Sequence, residues 1–433
     1  MLNLPLFTMQ IIVILTAARL VGWAFRKIRQ PQVVGEMAAG ILLGPSVLGW
    51  IAPGAYQSLF PSQSLGFLNA LSQVGLIVFM FLIGLELDLQ VLKGRTSTAF
   101  VTSPTSIIVP FSLGVLLALY LYPHLSEEGV SFLVFALFIG AAMSITAFPV
   151  LARILSERKL LRTELGAVAI ACAALDDISG WMILAIVLLL ARAAETSLPF
   201  WATIIGVGLY VIVMLYPLRK LVIRIEMYYE QRGEITQGAL ALILVFALGS
   251  AWITEMLGIH ALFGAFMAGV AMPRKRNFIH ALIEKMYDFA VVFLLPLFFA
   301  YTGLRTSLGL LNEFALWADA GLILLVAVAG KFVGAALPAR WTGMSWREAG
   351  ALGALMNTRG LMELVLLNIG LDIGVITPTL FTMLVIMALV TTFMTSPLVE
   401  WIYFRRLAPK GEYQPTAPEV VSPDEVDEAL AVE

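Results

Sequence analysis

Charge and thiol are what this 433-residue chain has least of. Its single cysteine, Cys172, lies inside an apolar run, which excludes a disulfide framework and a thiolate metal site. The three histidines, His124, His260 and His280, are scattered and never fall in H-E-x-x-H spacing, which excludes the zinc-peptidase helix. No G-x-G-x-x-G follows a strand-like run, so no dinucleotide-binding module and no cofactor are expected. Only 13% of residues are charged against 60% hydrophobic. A soluble protein of this length could bury a large core, but not a dozen long apolar segments. The net charge of −2 leaves no basic footprint for nucleic acid, and none is expected as a partner. There is no cleavable signal with a small-residue site; the first apolar run opens a bundle that uses the lipid bilayer as its solvent.

Thirteen transmembrane helices are expected. They run roughly over 5–25, 32–51, 66–88, 98–122, 131–155, 164–191, 198–217, 236–256, 259–273, 286–304, 315–338, 349–370 and 379–403. The ninth is short for a bilayer and is read as tilted, paired or half-buried. Basic residues test the count. The loops assigned to one face hold 22 of the 27 Lys and Arg residues, from Arg26, Lys27 and Arg29 to Arg405, Arg406 and Lys410. Arg192 and Arg305 fall on the opposite face, and Arg19, Lys331 and Arg359 within spans. The positive-inside rule then puts the N-terminus outside and the C-terminus in the cytoplasm. Residues 1–406 form the membrane domain, and the acidic, Pro-containing stretch 407–433 reads as a disordered cytoplasmic tail, too short for a nucleotide-binding regulatory domain.

The adjacent carboxylates Asp176 and Asp177 stand at the middle of the sixth span. One aspartate at a span centre costs ~2.5–3.5 kcal/mol on insertion scales, so two side by side mark an ion or proton pathway. Neighbours on a helix point about 100° apart, so one carboxylate can face the ion path while the other faces a cationic partner. Two carboxylates this close in low dielectric resist being ionised together, which lets proton and cation compete for them. Lys331, well inside span eleven, is the natural counter-charge. A structural carboxylate pair and a snorkelling lysine are the bland alternatives.

Two spans carry interruptions. In the fifth, Pro149 cannot donate its N–H, which predicts unwinding or a kink over 144–149. In the twelfth, Asn357, Thr358, Arg359 and Gly360 interrupt an apolar run. Unwound backbone at this depth offers free carbonyls and half-helix ends that suit a desolvated cation. Ser144, Thr146 and Asn357 can supply neutral oxygen ligands or simply bond a carbonyl one turn back. Arg359 and Glu363, spaced i, i+4, are read as an ion pair; a structural pin and a direct role both stay open. Glu86 and Asp88 read as interfacial, and the roles of Arg19, Glu36 and Glu255 stay open.

One half of the chain echoes the other. FMFLIGLELDL (79–89) aligns with FFAYTGLRTSL (298–308) on Gly84 and Gly303, and GEMAAGILLGP (35–45) with GAFMAGVAMP (264–273) on Gly35 and Gly264. Repeat one (about 5–191) and repeat two (about 236–403), joined by the span at 198–217, would then lie in opposite membrane orientations. Such inverted repeats mark secondary transporters; chance similarity of small-residue helices is the alternative.

QPQVVGEMAAGILLGPSVLG (30–49), SITAFPVLARILSERKLL (144–161), ALDDISGW (174–181), GIHALFGAFMAGVAMPR (258–274) and MNTRGLMELVLLNIG (356–370), with shorter stretches between them, cover nearly the whole membrane region in order. They resemble the monovalent cation:proton antiporter-2 family, particularly plant cation/proton exchangers and bacterial Na⁺/H⁺ antiporters. The resemblance implies an all-α integral membrane fold with two crossing broken helices, a dimerisation domain and a core domain that moves as an elevator. It implies a homodimer in a bacterial inner membrane, with a monovalent cation and protons as substrates. By position Asp177 would bind ion and proton, Asp176 would pair with Lys331 until the cation arrives, and Arg359 would be the charged residue of the second broken helix. Asp-Asp departs from the Asn-Asp of plant exchangers and the Gln-Asp of potassium-efflux relatives, and resembles the electrogenic sodium antiporters. The expected activity is electrogenic exchange of Na⁺, with K⁺ as the alternative cation. A K⁺/H⁺ efflux system, a cation channel and an intramembrane aspartyl protease are the other readings. One asymmetric site argues against a channel filter, and two acids adjacent on one helix cannot converge on a protease water.

Overall fold

The computed structural model describes residues 3–86, 97–161, 163–191 and 200–404. The acidic stretch 407–433, Asp88 and the loop basics Lys93, Arg95, Arg162, Arg192, Arg405, Arg406 and Lys410 lie outside them. Among the described residues the only β pairing is an isolated bridge between Ser126 and Ile376.

Local sequence sets most helix ends. α1 (Leu4–Lys27) starts where the Asn3 side chain accepts the Leu6 amide. α2 (Gln32–Leu43) stops at Gly44-Pro45, since a proline disfavours helix in the residue before it; two short helices follow, α3 (Leu48–Ile51) and α4 (Pro53–Leu59). α5 (Ser62–Glu86) and α6 (Ser97–Leu125) are long, the latter with Pro104, Pro110 and Pro123 inside it. Ser131 caps α7 (Phe132–Ser144), which is followed by α8 (Phe148–Glu157) and α9 (Glu164–Ala191). α10 (Phe200–Val213) leads into α11 (Arg219–Arg232), which ends on Gly233 at φ 74°, the left-handed conformation that glycine adopts without strain. α12 (Gln237–Met256) and α13 (Ala261–Ala271) precede α14 (Arg276–Phe289) and α15 (Leu295–Leu304). α16 (Phe314–Trp341) is followed by α17 (Trp346–Leu355), opened by a capping box between Ser345 and Glu348. α18 (Leu361–Asp372) and α19 (Pro378–Val399) complete the bundle.

Eleven of these helices or helix pairs are long and apolar enough to cross a membrane; α13 is apolar but shorter. Their outward faces carry Leu209, Leu242, Val245, Trp252 and Leu325 exposed, a surface suited to hydrocarbon rather than water.

Two boundaries differ from expectation. The helix expected to end at 217 continues to Arg232 through a π turn at Met214–Leu218 that contains Pro217. The helix expected from 286 begins at Arg276 and passes a π turn at Ala290–Leu294. In both, hydrogen bonding carries the helix beyond the apolar run, and the wider turn absorbs the irregularity. The fifth span breaks at Ile145–Ala147, within the expected 144–149 window, and Pro149 sits in the first turn of α8 where its missing N–H costs nothing.

Among the helix pairs that approach so closely that only glycine fits, two join glycines of the echoed segments. A methyl group on Gly303 of α15 would lie 2.0 Å from the carbonyl carbon of Gly40 in α2. One on Gly269 of α13 would lie 2.2 Å from Phe81 O and 2.8 Å from Gly84 Cα in α5.

Candidate functional site

The two interruptions meet. Where α7 ends, Ile145 and Ala147 are extended; where α17 ends, Met356–Gly360 leave the helix before α18 resumes. The Ala147 amide donates to Thr358 O at 2.9 Å, so each break satisfies part of the other's freed backbone. The crossing lies against the middle of α9, which carries Asp176 and Asp177, both buried.

The carboxylates face different partners. Asp176 receives Lys331 Nζ at 2.6 Å on Oδ2, with both side chains fully buried. The Thr146 hydroxyl donates to the same oxygen at 2.8 Å, and the Ser106 hydroxyl, which also lies 2.8 Å from Ser103 O, reaches Oδ1 at 3.1 Å. Thr146 Oγ1 also lies 3.1 Å from Met356 O, tying Asp176 to both breaks. Asp177 interacts with the Phe148 backbone amide, at the N-terminus of half-helix α8, where the helix dipole favours negative charge. Its Oδ1 is buried without a hydrogen-bond partner, as is Oδ1 of Asn357. Unpartnered buried oxygens are rare in folded proteins, and carboxylate and amide oxygens are the groups that replace the hydration shell of a hard cation.

Arg359 does not join the aspartates. Its guanidinium donates to Met143 O at 2.8 Å, to Ala142 O, and to Glu363 Oε2 at 3.0 Å. It therefore caps the C-terminal end of α7, where a cation is favoured, and its own charge is balanced by Glu363. Ser144 Oγ donates to Ala141 O at 3.0 Å, Thr358 Oγ1 to Leu355 O at 2.6 Å, and Asn357 Nδ2 to Gly353 O at 3.1 Å. These are the local carbonyl bonds named as the alternative, and they leave the side-chain oxygens with lone pairs.

The residues with open roles lie elsewhere. Glu36 accepts Gln32 Nε2 at 2.8 Å and has Arg19 at 4.0 Å; Arg19 also reaches Val292 O at 3.3 Å. Glu255 Oε2 accepts the Ala261 amide at 2.8 Å, at the start of α13. Ser106 was not singled out by sequence. Its signal was the polar cluster Thr102, Ser103, Thr105, Ser106 in an otherwise apolar span.

Discontinuous helices that meet at a buried charged site within a membrane bundle are the architecture of secondary transporters. The family model for the transmembrane part of sodium/hydrogen exchangers matches residues 13–403, and the chain belongs to that family. It is 47% identical to the Na⁺/H⁺ antiporter NhaS4 of Synechocystis over 93% of this chain and 98% of that one. It is 40% identical to cation/H⁺ antiporter 17 of Arabidopsis thaliana, over 92% of this chain and 48% of that protein. With K⁺/H⁺ antiporter 1 of Saccharomyces cerevisiae the identity is 36%, over 92% and 46%. The chain thus spans about half the length of the plant and yeast relatives. Its fold matches that of the sodium proton antiporter MjNhaP1 from Methanocaldococcus jannaschii, with a TM-score of 0.65 at 18% identity, over 92% of this chain and 97% of that one.

Proposed function

We propose that this chain is a secondary antiporter that exchanges a monovalent cation, Na⁺ foremost and K⁺ as the alternative, for protons. The observation that carries the reading is the division of labour at the crossing. Asp176 is neutralised by Lys331, while Asp177 keeps a buried oxygen without a donor beside a half-helix N-terminus. Asp177 then binds a cation or a proton, one excluding the other. Cation arrival draws Asp176 away from Lys331, and the lysine gives up its proton. Exchange of about two protons for one cation moves one net charge, worth ~2.3 kcal/mol per 100 mV, so the cycle is electrogenic.

In the same reading thirteen segments span the membrane, the eleven long ones together with Ala261–Ala271 and the interrupted helix 346–372, with the N-terminus outside and the C-terminus cytoplasmic. The glycine crossings support an inverted repeat. The repeat alignment equates Gly40 with Gly269 and Gly84 with Gly303, and a two-fold exchange of halves turns the Gly40–Gly303 contact into Gly269–Gly84. The bundle holding α6 to α9 and α16 to α19 moves as an elevator against a scaffold that pairs as a homodimer in a bacterial inner membrane.

The test is proteoliposomes holding a proton gradient and a pH dye, given NaCl, KCl and choline chloride in turn. Dequenching with Na⁺ or K⁺ but not choline is expected, and Asp177→Asn should abolish it at unchanged expression. Silence toward every cation across pH 6–9, or full activity in Asp177→Asn, would overturn the reading.

A further inference from the structure

α19 carries four buried hydroxyls within six residues: Thr391, Thr392, Thr395 and Ser396. Such side chains in apolar helices usually spend their hydrogen bond on a carbonyl one turn back. Thr391 does so, on Met387 O at 2.8 Å and Ala388 O at 3.1 Å, and Thr395 on Thr391 O at 2.9 Å. Thr392 is different. Its Oγ1 accepts the Arg359 amide at 2.9 Å and lies 2.7 Å from Arg359 O, as well as 2.8 Å from Ala388 O. One hydroxyl therefore meets both polar groups of the Arg359 backbone, where the interrupted span offers no helical partner.

The two peptide units on either side of Arg359 adjoin the groups that order the site. The neighbouring Thr358 carbonyl receives the Ala147 amide at 2.9 Å, and Thr146 bridges Met356 O and Asp176 Oδ2. The guanidinium of Arg359 holds the end of α7 through Met143 O. We infer that Thr392 is a positioning residue for the cation site, anchoring the second break from α19 so that the crossing holds its geometry beside the aspartates. Valine has nearly the shape of threonine but leaves both Arg359 backbone groups unpaired where they are buried, and each unmade bond is costly there.

The inference rests on the antiporter reading, so its test has one readout that needs no transport. Thr392→Val should accelerate amide hydrogen exchange in peptides covering 355–361. It should also raise the KM for the transported cation roughly five- to tenfold, with the maximal rate within about twofold of wild type. Thr392→Ser keeps the hydroxyl and should restore both, and Thr391→Val should change neither. If valine prevents folding, Thr392→Cys, whose thiol bonds only weakly, is measured in its place. Unchanged exchange and KM in the Thr392 variant would overturn the inference. So would equal effects from Thr391→Val, which would assign them to α19 packing. A wild type that moves no cation would sink the antiporter reading alone, since hydrogen exchange still decides whether Thr392 anchors the break.

Discussion

Two ion pairs lie fully buried among the described residues, and they are built for opposite purposes. Arg359–Glu363 joins residues four apart in sequence, and its arginine is also bound to two carbonyls of α7. Every charge there has a local partner and the guanidinium bridges two helices like a bolt. Asp176–Lys331 joins two separate helices, and its other partners are hydroxyls, which rotate easily. A buried pair of this kind repays its desolvation poorly, so it is weak evidence for stability and better evidence for exchangeable partners. On the proposed antiporter reading, the difference marks Asp176–Lys331 as the pair that opens during transport.

The largest expected effect separates the pairs by stability. Lys331→Met alone strands a buried carboxylate, a loss of ~3–5 kcal/mol. Adding Asp176→Asn should recover most of it, because the Thr146 and Ser106 hydroxyls still find an acceptor. Arg359→Met should cost at least as much, and adding Glu363→Leu should not recover it. The Ala142 and Met143 carbonyls stay stripped of their donor, at ~1–3 kcal/mol each. Thermal unfolding of the purified variants in one detergent checks this. Recovery in both double variants would erase the distinction.

How much of this was legible in sequence follows the same physics. Asp176, Asp177 and Lys331 stood out because a charge within an apolar run is too costly to be incidental. The family pattern named the Asp176–Lys331 pair, and the structure places those atoms 2.6 Å apart. The Asn357–Gly360 break was visible as polar residues in mid-span, and Pro149 marked the 144–149 window in which the fifth span breaks at Ile145–Ala147. Helix ends were less legible. Apolarity stops at the membrane edge, but hydrogen bonding does not, so α11 and α14 extend into what reads as basic loop. Hydroxyls were the least legible. Ser106 and Thr392 look like Thr105 and Thr391 in sequence, and only packing tells which of them reaches across.

A smaller effect sharpens the comparison through voltage. Asp176→Asn should leave exchange running, with turnover reduced by less than about tenfold, but remove its dependence on an imposed membrane potential. Lys331 would then have no carboxylate to return to and would drop out of the charge cycle. Glu363→Gln, in the bolted pair, should keep wild-type voltage dependence in whatever activity remains. Dye-monitored exchange at several potassium–valinomycin potentials reads both; unchanged voltage dependence in Asp176→Asn would refute its assigned role.

The smallest effect concerns Ser106, which the Asp176–Lys331 pair uses and the other pair has no counterpart for. Its hydroxyl shares one proton between Ser103 O at 2.8 Å and Asp176 Oδ1 at 3.1 Å, the latter a charged acceptor already served on the other oxygen by Lys331 and Thr146. Removing it leaves a buried carboxylate oxygen one donor short, a loss of about 1 kcal/mol given the remaining partners. The carboxylate is then held less firmly in the orientation the crossing uses, and a few-fold rise in cation KM is expected. Thr105→Ala is the control. That hydroxyl, one residue away, binds only Val101 O and Thr102 O within its own helix, at 3.0 and 2.9 Å. If Ser106→Ala and Thr105→Ala shift the KM alike, the change belongs to α6 rather than to Asp176. The hydroxyl shell would then be packing, and the contrast between a labile pair and a bolted one would rest on Lys331 alone.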